Sequence, residues 1–147
     1  MRDSGQPGFT VDYAALAQGF LKATRAPDGL AVVAEGLEAS RRNHDGEQEA
    51  ELWHIKGDLL LLQDAQPRSI LQAGAECCFR QAIVIARHQQ AKWWELRTSV
   101  SLARLLRDTN RRDEARAMLA EIYNWFTEGF DTADLKDAKA LLDELSN

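Results

Sequence analysis

The stretch Val11-Asp12-Tyr13-Ala14-Ala15-Leu16-Ala17-Gln18-Gly19-Phe20-Leu21-Lys22, with the Gly29…Val33…Gly36 run that follows it, decides how the chain folds. Val11, Tyr13, Leu16, Ala17, Phe20 and Leu21 recur at helical spacing and leave Gln18 and Lys22 opposite. That is the pattern of an amphipathic helix with one apolar stripe. The break Arg25-Ala26-Pro27-Asp28-Gly29 puts its proline where the first turn of a new helix tolerates one. A second helix then carries Leu30, Val33 and Leu37 up to the polar run Arg41-Arg42-Asn43-His44-Asp45-Gly46.

The same periodicity extends outward from this pair. It predicts helices over about 47–63, 69–88, 92–107 and 111–126, with Asp64-Ala65-Gln66-Pro67-Arg68 as a loop. Gly129 reads as the C-cap of the sixth helix. Asp131 or Thr132 opens a seventh with the stripe Leu135, Ala138, Leu142, Leu145. No stretch alternates with period two over a useful length, and 9 Gly with 3 Pro are little punctuation for an all-β domain. The expected class is all-α.

Composition narrows the function. The chain has 147 residues, 45% of them hydrophobic and 28% charged, which fits a globular domain and argues against disorder. No apolar run approaches the roughly 18 residues that cross a bilayer, and Met1-Arg2-Asp3-Ser4-Gly5-Gln6 lacks a secretory apolar core. Cys77 and Cys78 are adjacent, so they cannot join distant segments and read as reduced thiols in a cytoplasmic protein. Eighteen basic against 23 acidic residues give a net charge of −5, which weighs against nucleic acid as a partner.

The helices repeat in pairs. The first, third and fifth carry a bulky-then-small pattern: Tyr13…Leu16-Ala17…Phe20, Trp53…Gly57…Leu60 and Leu102-Ala103…Leu106. The second, fourth and sixth carry Gly29…Val33…Gly36, Ala75…Phe79…Ala82 and Ala115…Leu119…Ile122. The small sites lie 12 apart in the first and third pairs and 18 apart in the second, where the loop with Pro67 is longer. Two antiparallel helices approach closely only where each presents Gly or Ala, and the large neighbours then fill the groove between pairs.

These residues resemble the tetratricopeptide repeat, a helix–turn–helix unit that stacks with its neighbours. Lys56 and Ser99 depart from that pattern, as do Arg41, Arg87 and Thr127 at the places of its closing proline. The second half, through Ala75-Glu76-Cys77-Cys78-Phe79-Arg80-Gln81-Ala82, Trp94-Glu95-Leu96-Arg97, Ser101-Leu102-Ala103-Arg104-Leu105 and Trp125–Thr132, is similar to the C-terminal repeat region of large bacterial regulators. Those are the adenylate/guanylate cyclase and LuxR-like ATPase regulators. The resemblance implies a right-handed superhelix of three helix pairs (10–49, 50–95, 96–129) with a capping helix over 130–147, after a flexible segment at 1–9. It carries no cyclase or ATPase activity here, since no G-x-x-x-x-G-K-[ST] phosphate loop is present.

In this repeat architecture the first helix of each pair lines the concave face. Gln18 and Lys22, then Glu51, His54 and Asp58, then Arg97, Arg104 and Arg107 fall on the side expected to face it. Arginine binds carboxylates bidentately, so the expected partner is a protein or peptide with acidic residues or a free C-terminal carboxylate. No cofactor, catalytic residue, metal, nucleic acid or membrane is expected. Alternatives are self-assembly through an unsatisfied end, or a metal-dependent enzyme built on Glu51, His54 and Asp58, which share one helix face. His44 and His88 sit at helix ends, where cationic or capping roles are commoner than catalysis. One of the two thiols is expected in the core and the other near the surface, since adjacent helical residues diverge. Trp53 and Trp125 are expected to pack between helices, with Trp93 or Trp94 partly exposed.

Overall fold

The computed structural model describes residues 11–43, 46–64 and 66–147. The flexible segment expected at 1–9 and the helix-end role of His44 lie outside the described residues. Seven helices, and no strands, occur among those described: α1 (Tyr13–Lys22), α2 (Ala26–Asn43), α3 (Glu49–Leu62), α4 (Arg68–His88), α5 (Lys92–Asp108), α6 (Arg112–Tyr123) and α7 (Ala133–Ser146). The fold is all-α, as the periodicity predicts, and no helix among the described residues is long and apolar enough to cross a membrane.

Each helix packs on its sequence neighbours, and α1, α3, α5 and α7 also pack on one another in turn. Among the described residues the backbones of α2, α4 and α6 come close only to the helices before and after them. The molecule therefore has two rows, α1–α3–α5–α7 and α2–α4–α6. A cluster of ion pairs bridges the second row between α4 and α6. Glu76 of α4 accepts from Arg80 of its own helix and from Arg111 before α6, while Arg80 reaches Glu114 of α6.

Small residues set the close approaches within pairs. Gly29, Gly36 and Gly57 are buried, and a Cβ at Gly36 would lie 2.7 Å from Tyr13 Cβ. Ala17, Ala75, Ala82, Ala103 and Ala115 are fully buried. The apolar interior has two parts. One joins α1, α2 and α3 through Ala14, Ala17, Val33, Leu52, Ile55 and Leu59. The larger runs through α4–α7 around Phe79, Leu96, Leu102, Leu106, Leu119 and Leu135, with Leu60 and Leu61 of α3 against it. Apolar residues surround α3, the form of a helix buried on most sides.

Several expectations shift in detail. Helix α6 stops at Tyr123, so Gly129 is no C-cap; it bends the connection to α7 at φ +81°, beneath Trp93. The early stop also moves Trp125 off the helix face, and it is 56% exposed instead of packed between helices. Trp53 is half-buried, Trp93 exposed and Trp94 half-buried. In α7 the buried stripe runs through Leu135, Ala138, Leu141 and Leu145, with Leu142 at its margin. Leu16 is exposed, because among the described residues α1 packs only on α2 and α3. Cys78 is buried and Cys77 exposed, the split that helical geometry demands.

Candidate functional site

The predicted groove residues all stand on the α1–α3–α5 row, and two of the three contributing helices bring theirs together. Glu51, His54 and Asp58 occupy successive turns of α3, facing Arg97, Ser101 and Arg104 on successive turns of α5. Gln18 and Lys22 of α1 stand apart: Gln18 is half-buried, Lys22 exposed at the last turn, and neither lines the pocket described below. The tie from α1 comes instead from Gln48, just before α3. Its Oε1 accepts from the Ala14 amide at 2.9 Å and its Nε2 donates to the Val11 carbonyl at 3.3 Å.

His54 is the main correction. The helical spacing expects it on the groove face, within reach of a metal, yet it is only 8% exposed, inserted between α3 and α5. Its Nδ1 meets Thr98 Oγ1 at 3.1 Å and its Nε2 meets Ser101 Oγ at 2.9 Å, with Asp58 Oδ2 3.5 Å away. Phe79 stacks edge-on against the ring at 5.5 Å. Burial, with Arg97 nearby, holds the imidazole pKa down to about 4, so the ring is neutral at physiological pH. Both ring nitrogens are committed to hydroxyls, and among the described residues no cluster of three or more His, Cys, Asp or Glu is placed to hold a metal ion. Ser101 on His54 has the spacing of a nucleophile on a base. Both sit in mid-helix, where backbone amides are spent on the helix ladder and offer no pair of donors to an oxyanion.

Carboxylates on α7 occupy two of the three predicted arginines. Arg97 donates to both oxygens of Asp134, with Nη2–Oδ2 at 3.1 Å, and lies 4.8 Å over the Trp94 ring. Arg107 donates to Asp108 at 3.1 Å and to Glu144 at 3.0 Å, which raises its pKa. Arg104 differs: it is exposed and, among the described residues, forms no hydrogen bond or ion pair. Glu51 lies between Asp12 and Arg97; burial first, and Asp12 second, raise its pKa.

Arg104 stands at a pocket of about 230 Å³ between α3, α4 and α5. Asp58 and Leu61 of α3 line it, with Arg68 and Gln72 of α4 and Ser101 and Arg107 of α5. Arg68 also donates to the Leu61 carbonyl at 2.7 Å, tying the start of α4 to the end of α3. Burial pushes the Asp58 carboxyl up to about 6, with Arg104 pulling the other way. Ser101 was legible in principle, since it shares the α5 stripe with Arg97, Arg104 and Asp108. Arg68 was not, because the loop before α4 sets its position. Searches against protein-family models, curated proteins and solved structures find no match to this chain.

Proposed function

We propose that the chain is a non-catalytic recognition module, a tetratricopeptide-like stack of three helix pairs whose α1–α3–α5–α7 row forms a right-handed concave groove. The groove takes a protein or peptide through an acidic side chain or a C-terminal carboxylate. On this reading the module serves a cytoplasmic signalling or transcription regulator of bacterial type. The two-row packing supports it, since first helices touching first helices is the arrangement such a stack requires.

The observation that carries the reading is Arg104, an exposed guanidinium that forms no hydrogen bond or ion pair among the described residues, at the mouth of a pocket that also holds Asp58, Ser101 and Gln72. Every other arginine predicted for the groove is paired within the chain. Arg104→Glu is expected to weaken binding of a fluorescein-labelled peptide with a C-terminal glutamate at least about tenfold in an anisotropy titration, because a charge-assisted pair becomes a repulsive one. Unchanged affinity sinks the groove assignment. Self-assembly is the competing reading, favoured by exposed Leu16 on the outer face of α1. Light scattering that gives a monomer across a concentration series removes it.

A further inference from the structure

The pocket behind Arg104 contains a carboxylate of its own, and this sets the terms on which an anion can enter. His54, behind Asp58, is neutral above a pH of about 4 and supplies no balancing charge near neutrality. Its hydrogen bonds orient the pocket's donors. The Asp58 carboxylate, 3.5 Å from Nε2, favours the tautomer with the ring proton on Nε2, in which Nδ1 accepts from the Thr98 hydroxyl and Nε2 donates towards Ser101 Oγ. The hydroxyl hydrogen of Ser101 is then unclaimed by His54 and can donate into the pocket. Ser101, Arg104 and Gln72 thus offer donors to an anion, while Asp58 offers a repelling charge at the same spot.

The charged groups that face Asp58 are few. From α5 they are Arg104, Arg107 and Asp108, with Arg107 held by Asp108 and Glu144. From α4 there is Arg68, engaged with the Leu61 carbonyl. From α3 itself there is His54, 3.5 Å from Asp58, and among the described residues neither α1 nor α2 lends a side chain to the pocket. Among the described residues, Arg104 and Arg68 form no ion pair, and of the two only Arg104 has no hydrogen bond.

We propose that a peptide carboxylate enters this pocket together with one proton, which resides on Asp58, so that the ligand sits between the Arg104 guanidinium and an Asp58 carboxyl that donates to it. This rests on the groove reading above and adds its proton coupling. Burial already favours the protonated form of Asp58, so taking up the proton near neutrality costs little. An arriving negative charge raises the Asp58 pKa further, and a ligand that raises a pKa binds more tightly as pH falls.

The probe is a short peptide with a C-terminal glutamate, as free acid and as C-terminal amide, with acetate as the small-anion control. Affinity for the free acid should level off below a pH of about 6, and weaken up to about tenfold per unit above it. Calorimetry near pH ~7, in two buffers of different ionisation enthalpy, should show uptake of up to about one proton. Asp58→Asn should flatten the pH profile and bind at least as tightly as wild type at the higher pH. Loss of binding by the amide assigns the α-carboxylate; retention assigns the side chain; acetate binding as tightly as the peptide overturns a peptide ligand. A wild-type profile flat in pH, with Arg104→Glu still weakening binding, overturns the proton coupling alone. Unchanged affinity in Arg104→Glu, or a wild-type chain that binds neither peptide at any pH, overturns the groove reading with it.

Discussion

Gly57 and Gly19 both lie inside helices, and their surroundings give them opposite roles. A Cβ at Gly57 would stand 2.7 Å from Phe79 Cδ1 and nearer still to Cε1. Phe79 is fully buried and held against the His54 ring, so it has no room to withdraw. A Cβ at Gly19 would meet nothing within 4 Å. Alanine gains up to about 1 kcal/mol over glycine within a helix, while overpacking a core costs about 1–3 kcal/mol. Gly57→Ala should therefore lower stability by about 2 kcal/mol, and Gly19→Ala should raise it by about 0.5–1 kcal/mol. Urea unfolding of the two variants checks this, and a stabilised Gly57→Ala would mean that α3 and α4 pack less closely than described. The small-residue pattern made Gly57 legible in the sequence as a contact site. The burial of His54 is not legible, because α3 is apolar on nearly every side, and one polar residue on such a helix does not announce whether it faces solvent or a pair of buried hydroxyls.

Three of the connections between helices use one device. Thr24, Gln90 and Asn110 have φ of 55°, 58° and 65°, and each follows the end of a helix. In each, the next residue's amide reaches back five positions: Arg25 to Phe20, Ala91 to Ala86, Arg111 to Leu106. That is the Schellman closure, whose left-handed position ordinarily goes to glycine. The sequence hid these turns because none carries glycine; only Asn110 is a residue tolerant of that conformation. Thr24 is β-branched, the costliest of the three types there, and its hydroxyl lies 2.6 Å from the Ala23 carbonyl. Thr24→Gly should stabilise the chain by about 0.5–1 kcal/mol, since relief of the left-handed strain outweighs the added freedom of the unfolded chain. A fall in melting temperature for that variant would show the threonine side chain to contribute more than its backbone costs.

At the scale of the whole molecule, alternating rows were legible because the small sites recur in register along α1 to α6. Pairing across the rows was not, because Asp134 and Glu144, which take Arg97 and Arg107, come from α7, outside the repeat pattern. The interior is also less uniform than three equal pairs imply. Among the described residues the α1–α3 cluster has seven buried members, three of them alanine, against seventeen in the α4–α7 cluster. Burial stabilises roughly in proportion to apolar area, about 25 cal/mol per Å², so the first pair is held by the smaller share. Repeat stacks open from an end when the terminal unit is the weaker one. Helix α3 supplies Leu52, Ile55 and Leu59 to the smaller cluster and Leu60 and Leu61 to the larger, so it should stay with the larger body. Amide hydrogen exchange is expected to show α1 and α2 exchanging at lower free energy than α3, with α5 slowest. Leu59→Ala, which empties the contact against Gly29, should lower protection in α1 and α2 by about 2–4 kcal/mol and leave α5 and α6 much less affected. Equal protection across all seven helices, or an equal loss in α1 and α5 on that substitution, would mean that the two clusters unfold as one unit and that the boundary at α3 has no energetic meaning.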